Sequence, residues 1–374
     1  MGIDAIFDAH SWALVPFHFW SLCFFALGCI VGSFLNVCIY RMPLELSVVS
    51  PPSHCPHCKY SIPFYLNIPL VTWLALRGRC KNCGAPISPR YFIVELLTGV
   101  AFLACWLHTG EPGHPLPTLA LALVYSIFLA GLICATFIDF EHFIIPDEIT
   151  LGGIVMGFAV SLILPSLHDA GSIQLGLWRS AMGIIVGAGI IYAILRLGKL
   201  FFGRQQLKLP PETTIYFTDT AVCLPGQVIP YEEIFYRKSD TIVLQARTVE
   251  LVDRGYCDTT VRLSPSLLRI GDEQINPEEV VHLEAVCSEI TLPREAMGLG
   301  DVKFMGAIGA FIGWQGAVFS LMVSSMIGAA VGIVLILLRK REWSSRMPYG
   351  PYIAAAAALW LFGGKKLFYG LFAM

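Results

Sequence analysis

The sequence predicts a polytopic α-helical membrane protein of about eight transmembrane helices, with a cysteine-bearing cytosolic segment and a small β-rich cytosolic insert. Three observations predict it. The 374 residues are 56% hydrophobic and 14% charged, against about 25% charged in ordinary soluble chains, and the mean hydropathy is +0.67. Apolar runs of roughly bilayer length recur, about 20 residues each. Between two of them, residues 203–292 lose that character and show short runs of β-prone residues. The net charge of −2 says nothing about nucleic acid, and no basic run suggests such a partner, so none is expected.

Hydropathy places the spans near 14–40, 92–108, 116–138, 149–165, 178–202, 302–314, 316–338 and 351–370, the sixth and seventh parted only by Gly313-Trp314-Gln315-Gly316. The N-terminus lacks a basic n-region and a small-residue cleavage site, so it reads as retained. Orientation follows from Lys and Arg. Arg41, Lys59, Arg77, Arg79, Lys81 and Arg90 follow span 1; Arg196, Lys199 and Arg204 close span 5; Arg339, Lys340, Arg341 and Arg346 follow span 7. Loops 109–115 and 166–176 have neither residue. Both termini are then outside, with Lys365 and Lys366 snorkelling to the interface. Five blocks result: a first helix in 1–40, a cytosolic segment in 41–91, spans 2–5 in 92–202, the insert in 203–292, and spans 6–8 in 293–374.

In span 1, Asn36 lies in an apolar helix and needs a partner on a neighbouring helix. The next segment holds Cys55-Pro56-His57-Cys58 and Cys80-Lys81-Asn82-Cys83. Two such knuckles in a reducing compartment suit four-coordinate Zn²⁺, and four protein ligands leave no open position, so the metal is structural. Between them, Phe64 to Ala75 is apolar enough to lie on the membrane. Span 2 carries Glu95 one turn in, either as an interfacial cap or as part of a polar cavity.

Span 3 ends in Phe137-Ile138-Asp139, and span 6 begins with Gly298-Leu299-Gly300-Asp301. A carboxylate at membrane depth is functional by default, although Asp301 also suits a helix N-terminus. Two aspartates at equal depth on one side form a candidate catalytic pair. Adjacent carboxylates cannot both ionise cheaply, so the ionised one can activate water while the protonated one polarises a carbonyl.

Gly298-Leu299-Gly300-Asp301, with Asp139 followed by Ile145-Pro146-Asp147, closely resembles the type IV prepilin peptidases, GxGD membrane aspartyl proteases with N-methyltransferase activity. Gly32-Ser33-Phe34-Leu35-Asn36-Val37, Arg41-Met42-Pro43, the four cysteines, Glu95-Leu96-Leu97-Thr98-Gly99 and Met347-Pro348-Tyr349-Gly350-Pro351 agree with it. The resemblance covers about 12–202 and 291–363. It implies a bacterial inner-membrane enzyme whose active site faces the cytosol, with Asp139 and Asp301 as the catalytic pair. It also implies cleavage of prepilin or pseudopilin leaders, then methylation of the new N-terminus from S-adenosylmethionine. The sequence shows no glycine-rich dinucleotide loop after a strand, and Gly183, Gly187 and Gly189 read as helix packing. Two alternatives are another GxGD intramembrane protease without methyl transfer, and a membrane transporter or scaffold.

The insert departs from the family. Residues 213–218, 241–246 and 259–263 read as strands, with turns at Pro225-Gly226 and Gly271-Asp272 and a helix or strand from Pro277 to Val281. Cys223, Cys257 and Cys287 are too scattered to ligate a metal. Its partner is not legible. Tethered about ten residues from Asp301, the insert is expected to gate or recognise a precursor rather than do chemistry.

Overall fold

The computed structural model describes residues 15–111, 115–202, 204–225, 227–235, 240–277, 280, 282–293, 298–338 and 347–372. It divides into a helical unit, Met1–Ile191 with Leu299–Met374, and a second unit, Tyr192–Gly298. Among the described residues five helices are long and apolar enough to cross a membrane.

In the helical unit, α1 (Phe17–Arg41) leads into the cysteine segment, which contains the short α2 (Val71–Ala75). There follow α3 (Pro89–Thr109), α4 (Pro115–His142), α5 (Asp147–Ile163) and α6 (Ile173–Phe202). Ser88 caps α3, accepting a hydrogen bond from Arg90 N–H, and Pro89 supplies the preset φ of a first helical turn. Helices α1 and α3 cross closely because glycine allows it. A Cβ on Gly28 would lie 2.6 Å from the Thr98 carbonyl oxygen, and one on Gly99 2.6 Å from Cys29 Sγ. Asn36 finds the partner expected of it, donating to the Tyr91 carbonyl on α3 at 3.0 Å.

The second unit continues with β1 (Arg204–Phe217), β2 (Ala221–Leu224), β3 (Gln227–Pro230), α7 (Tyr231–Ile234), β4 (Ile242–Leu251), β5 (Gly255–Ser264), β6 (Leu267–Ile270), β7 (Glu273–Ile275) and β8 (Leu283–Pro293). They form one antiparallel sheet ordered β3-β2-β1-β8-β4-β5-β6-β7. Its buried positions alternate as a sheet with one covered face requires. On β8 they are Leu283, Ala285 and Cys287, then Ile290 and Leu292. The phase slips by one after Cys287, where β4 also changes register. A bulge of this kind restores the inward face after an extra residue.

The three expected strands are all present. Five more were not read: β2, β3, β6 and β7 carry too few residues to show a period, and the slip after Cys287 interrupts it in β8. Gly271-Asp272 is the expected turn, joining β6 to β7 with Gly271 at φ 58°. Gly226, Glu278, Glu279 and Val281 lie outside the described residues, as do Arg339, Lys340, Arg341 and Arg346.

Back in the helical unit, α8 runs Leu299–Leu337 and is broken at Gly313, whose φ of 72° and ψ of 176° no helix contains. Its halves fold back on one another. A Cβ on Gly300 would touch Ile145 at 3.6 Å, and Ile145 touches the Gly350 position, while Gly328 meets Tyr349 and Tyr352. A straight helix would separate residues 300 and 328 by about 42 Å, at about 1.5 Å per residue. The break falls where the sequence parted spans 6 and 7. Helix α9 (Gly350–Leu359) continues through a π-turn, Trp360–Gly364, into α10 (Lys365–Phe372). Lys365 pairs with Asp169 rather than only snorkelling.

Helices α5 and α6 pack on the first half of α8 through small residues. The Gly157 position lies against Ala310, and a Cβ on Gly183 would be 2.0 Å from the Gly309 carbonyl oxygen. Gly187 meets the Met305 backbone at a similar approach, whereas Gly189 has nothing within 4 Å and takes no part in that packing.

Candidate active site

Asp139 occupies the last turn of α4, after the apolar residues Ala135 and Ile138, both fully buried. The helix ends at Phe143, which takes a left-handed φ of 55° while its N–H still reaches the Asp139 carbonyl at 3.0 Å. Ile144-Ile145-Pro146 then carry the chain into α5, where Asp147 and Glu148 fill the first turn, as the helix dipole favours.

The Asp139 side chain is 5% exposed. Its Oδ2 accepts a hydrogen bond from Gly350 N–H at 2.9 Å. Gly350 is the first residue of α9, so its N–H is one of the donors a helix start leaves without an intrahelical partner. The acidic group therefore sits at a helix N-terminus, which favours an anion. Only glycine fits there. A Cβ would stand 2.7 Å from Asp139 Oδ2 and 3.1 Å from Ile145 Cδ1.

Asp301 is in the first turn of α8 and is half-buried. The preceding Gly300 lies along the backbone of Ile145, with a Cβ there 3.6 Å from Ile145 N. Lys303, one turn-half further, donates to Asp147 at 2.6 and 2.9 Å. That ion pair joins the start of α8 to the start of α5. Ile145 is thus the common neighbour: Gly350, which holds Asp139, touches one side of it, and Gly300, which precedes Asp301, touches another. Two acidic groups separated by 162 positions are brought to the same end of the bundle.

The four cysteines also converge. The Sγ atoms of Cys55, Cys58, Cys80 and Cys83 all lie within 4.8 Å of one another, and Cys55 and Cys83 are 3.8 Å apart. Ligands about 2.3 Å from a tetrahedral metal stand about 3.8 Å from each other, so the cluster is the right size for a metal ion. The two knuckles are built alike. In the first, Lys59 N–H bonds the Cys55 carbonyl and Cys55 N–H the Tyr60 carbonyl; in the second, Gly84 bonds Cys80 and Cys80 bonds Ala85. Lys59 and Gly84 hold the same left-handed φ, 58° and 71°. Asn82 Nδ2 lies 3.6 Å from Cys58 Sγ, and with Tyr60 N–H it holds the Cys58 thiol down to about 6. A low-pKa thiol is a ready metal ligand.

Glu95 resolves in favour of capping. It is 8% exposed and accepts from Leu70 N–H at 2.7 Å, at the residue preceding α2. Glu141, exposed at the end of α4, pairs with Arg90 at the start of α3. That pair ties the cysteine segment's end of α3 to the Asp139 end of α4. Gly350 as the donor to Asp139 was not read from the sequence. The Met347-Pro348-Tyr349-Gly350-Pro351 motif was its only trace.

The family model described as the bacterial peptidase A24 N-terminal domain matches residues 26–109. That described as the type IV leader peptidase family matches 126–209 and 281–333, leaving out most of the sheet. A Myxococcus xanthus protein named "Prepilin leader peptidase/N-methyltransferase" is 39% identical over 196 residues, which is 49% of this chain and 56% of that one. One of the same name from Aeromonas hydrophila is 28% identical over 94% of this chain and 93% of its own. The "Type 4 prepilin-like proteins leader peptide-processing enzyme" of Escherichia coli O78:H11 is 35% identical over 48% of this chain and 68% of its own. No solved structure matches. With residues 26–109, 126–209 and 281–333 matched and a 35%-identical relative covered over 68% of its length, the chain belongs to the type IV leader peptidase family.

Proposed function

We propose that the chain cleaves the leader of type IV prepilin or pseudopilin precursors, with Asp139 and Asp301 as its acid–base pair, and then methylates the new N-terminus. The observation that carries the first half is the meeting of both aspartate-bearing segments on Ile145. One carboxylate, ionised, takes a proton from water as the oxygen attacks the scissile carbonyl carbon. The other, protonated, donates to the carbonyl oxygen. Collapse of the tetrahedral intermediate breaks the C–N bond, the leaving nitrogen takes a proton, and the pair returns to one shared proton. Gly350 N–H keeps Asp139 Oδ2 an acceptor throughout, so any proton on Asp139 resides on Oδ1.

The membrane face follows from charge. Arg41, Lys59, Arg77, Arg79, Lys81 and Arg90 all flank the aspartate end of α1 and α3, and the positive-inside rule makes that end cytosolic, in a bacterial inner membrane. The fold-back at Gly313 supports eight spans, because it divides α8 into two crossings; α5 and the α9–α10 pair supply the others. The thiol cluster suits Zn²⁺, held by Cys55, Cys58, Cys80 and Cys83 as a structural ion with no open position.

The relatives' names carry the methyl transfer. S-adenosylmethionine would supply the methyl group. A cavity of about 300 Å³ beside the cysteine segment offers Ser33, Ser53 and Asn67 as hydrogen-bonding groups, with Arg41 as its charged group. The Glu95 carboxyl, bonded to Ser33, stands behind its wall. Arg41 would match the carboxylate of such a methyl donor, and the apolar residues of the lining its less polar parts.

Asp139→Asn and Asp301→Asn test the pair. Each is expected to lower leader cleavage at least about 10³-fold, in the range of lost acid–base catalysis, while the protein still accumulates in membranes. The double variant should be no worse than either single one, because a pair sharing one proton fails as a unit. Near wild-type cleavage by either single variant would remove that residue from the pair.

A further inference from the structure

We infer that the segment between the cysteine knuckles is embedded in the bilayer interface, with its apolar side chains among lipid tails and its basic rim against anionic headgroups. The segment is anchored at a definite depth. Leu70 N–H donates to Glu95 on α3, and Trp73 packs on Phe92 of α3 with ring centres 5.2 Å apart. Phe92 and Glu95 lie three and six residues into α3, about 4.5 and 9 Å along its axis. The segment therefore sits beside the first turns of a membrane-spanning helix, not beyond its end.

At that level α3 presents Ile93, Leu96 and Leu97 outward. The anchored segment presents Phe64, Tyr65, Ile68, Val71 and Leu74 outward as well, Phe64 being 89% exposed. An apolar surface left exposed at the same depth as a span's own outward residues calls for the same solvent. Charge points the same way. From Leu46 to Val94 the chain has no Asp or Glu, yet it carries Lys59, Arg77, Arg79, Lys81 and Arg90. Lys81 reaches over the Tyr65 ring, 5.9 Å from its centre, at the junction of the apolar and basic zones. Basic groups next to a bilayer select anionic lipid. The competing occupant is the apolar helix of a precursor.

The test uses the full-length protein in nanodiscs containing phosphatidylglycerol. Photoreactive benzoylphenylalanine replaces Phe64, Ile68, Val71 or Leu74 in turn, with Leu22 of α1 as the lipid-facing control and His57 in the first knuckle as the aqueous one. Mass spectrometry is expected to find phospholipid adducts from the four segment positions and from Leu22, but none from His57. Lipid adducts at Leu22 with none at the four positions would overturn the inference. Adducts to an added precursor peptide in place of lipid would overturn it too, and would make the surface a substrate groove. Native mass spectrometry reads the basic rim. Phosphatidylglycerol should be retained over phosphatidylcholine, with Lys59→Gln and Arg77→Gln each lowering that preference up to about fivefold. Equal retention of both lipids by the wild type would remove the anionic half of the assignment. Neither readout depends on leader cleavage, so the assignment of Asp139 and Asp301 stands or falls separately.

Discussion

Gly350 does for Asp139 what no side chain could. Its N–H is a fixed donor at a helix start, and its missing Cβ leaves room for the carboxyl group. Tyr349, the residue before it, is held in turn by Ser324 and Ser325, whose hydroxyls lie 2.9 and 3.1 Å from the phenol oxygen. Gly350→Ala is expected to push Asp139 aside and lower kcat about 10- to 100-fold, the worth of a hydrogen bond to a charged group. KM for a precursor should change little, because Gly350 acts through Asp139. A variant whose KM rises while kcat holds would show that Gly350 serves binding instead. Ser324→Ala and Ser325→Ala together should reproduce a weaker form of the same kcat loss, since they release Tyr349 but leave the N–H in place.

At the scale of elements, two devices stand out. The cysteine segment carries its own clip. One zinc per chain is expected by metal analysis after mild purification, and less than about half an equivalent would count against the site, given structural-zinc affinities. Cys55→Ser with Cys58→Ser should abolish the metal, raise protease sensitivity across 44–90 and impair methylation more than cleavage. The cysteines are distant in sequence from both aspartates, and the segment's contacts toward that end, such as Arg90 with Glu141 and Val48 in the cluster that includes Ile138, do not involve them. The second device is the glycine seam between α6 and α8. Gly183→Val would place atoms on the Gly309 backbone and is expected to cost both thermal stability and activity, as overpacking does. Gly189→Ala, where nothing lies within 4 Å, should leave both unchanged and is the matched control. Equal tolerance at the two positions would mean that the α6–α8 contact does not hold Asp301 in place.

For the whole molecule, the β-sheet unit is an insertion whose ends meet. β1 and β8 pair from Arg204 opposite Pro293 up to Phe217 opposite Leu283, interrupted by a bulge. Paired strands lie about 5 Å apart, so a short linker can bridge the points where the chain leaves and rejoins the helical unit. The unit also has its own core, from Ile215 to Leu292. Replacing 206–288 by a short Gly/Ser linker is therefore expected to leave a folded, membrane-inserted protein. Cleavage of saturating precursor should be largely kept, with the change appearing in apparent affinity. Complete loss of turnover in a stably inserted deletion would show that the sheet contributes to the reaction itself.

Composition and spacing alone determined the membrane class, the paired knuckles and the position of the α8 break, and singled out two aspartates as candidates. Each is written in a local run: twenty apolar residues, two cysteines three apart, an acid at the edge of an apolar stretch, a glycine between two spans. Tertiary structure decided the rest. That Asp139 is held by Gly350 is a contact across 211 positions, and no local pattern encodes which helix start faces which carboxyl group. That Glu95 caps Leu70 rather than lining an open cavity is likewise a meeting of separate segments. The sheet's short strands acquire their register only from neighbours distant in sequence, since four residues such as Gln227–Pro230 carry too little periodicity to fix a face. The helices announce themselves because a bilayer rewards apolar length residue by residue. Which helix ends meet at Ile145 is settled by packing, where glycines let backbones approach and every other choice would collide.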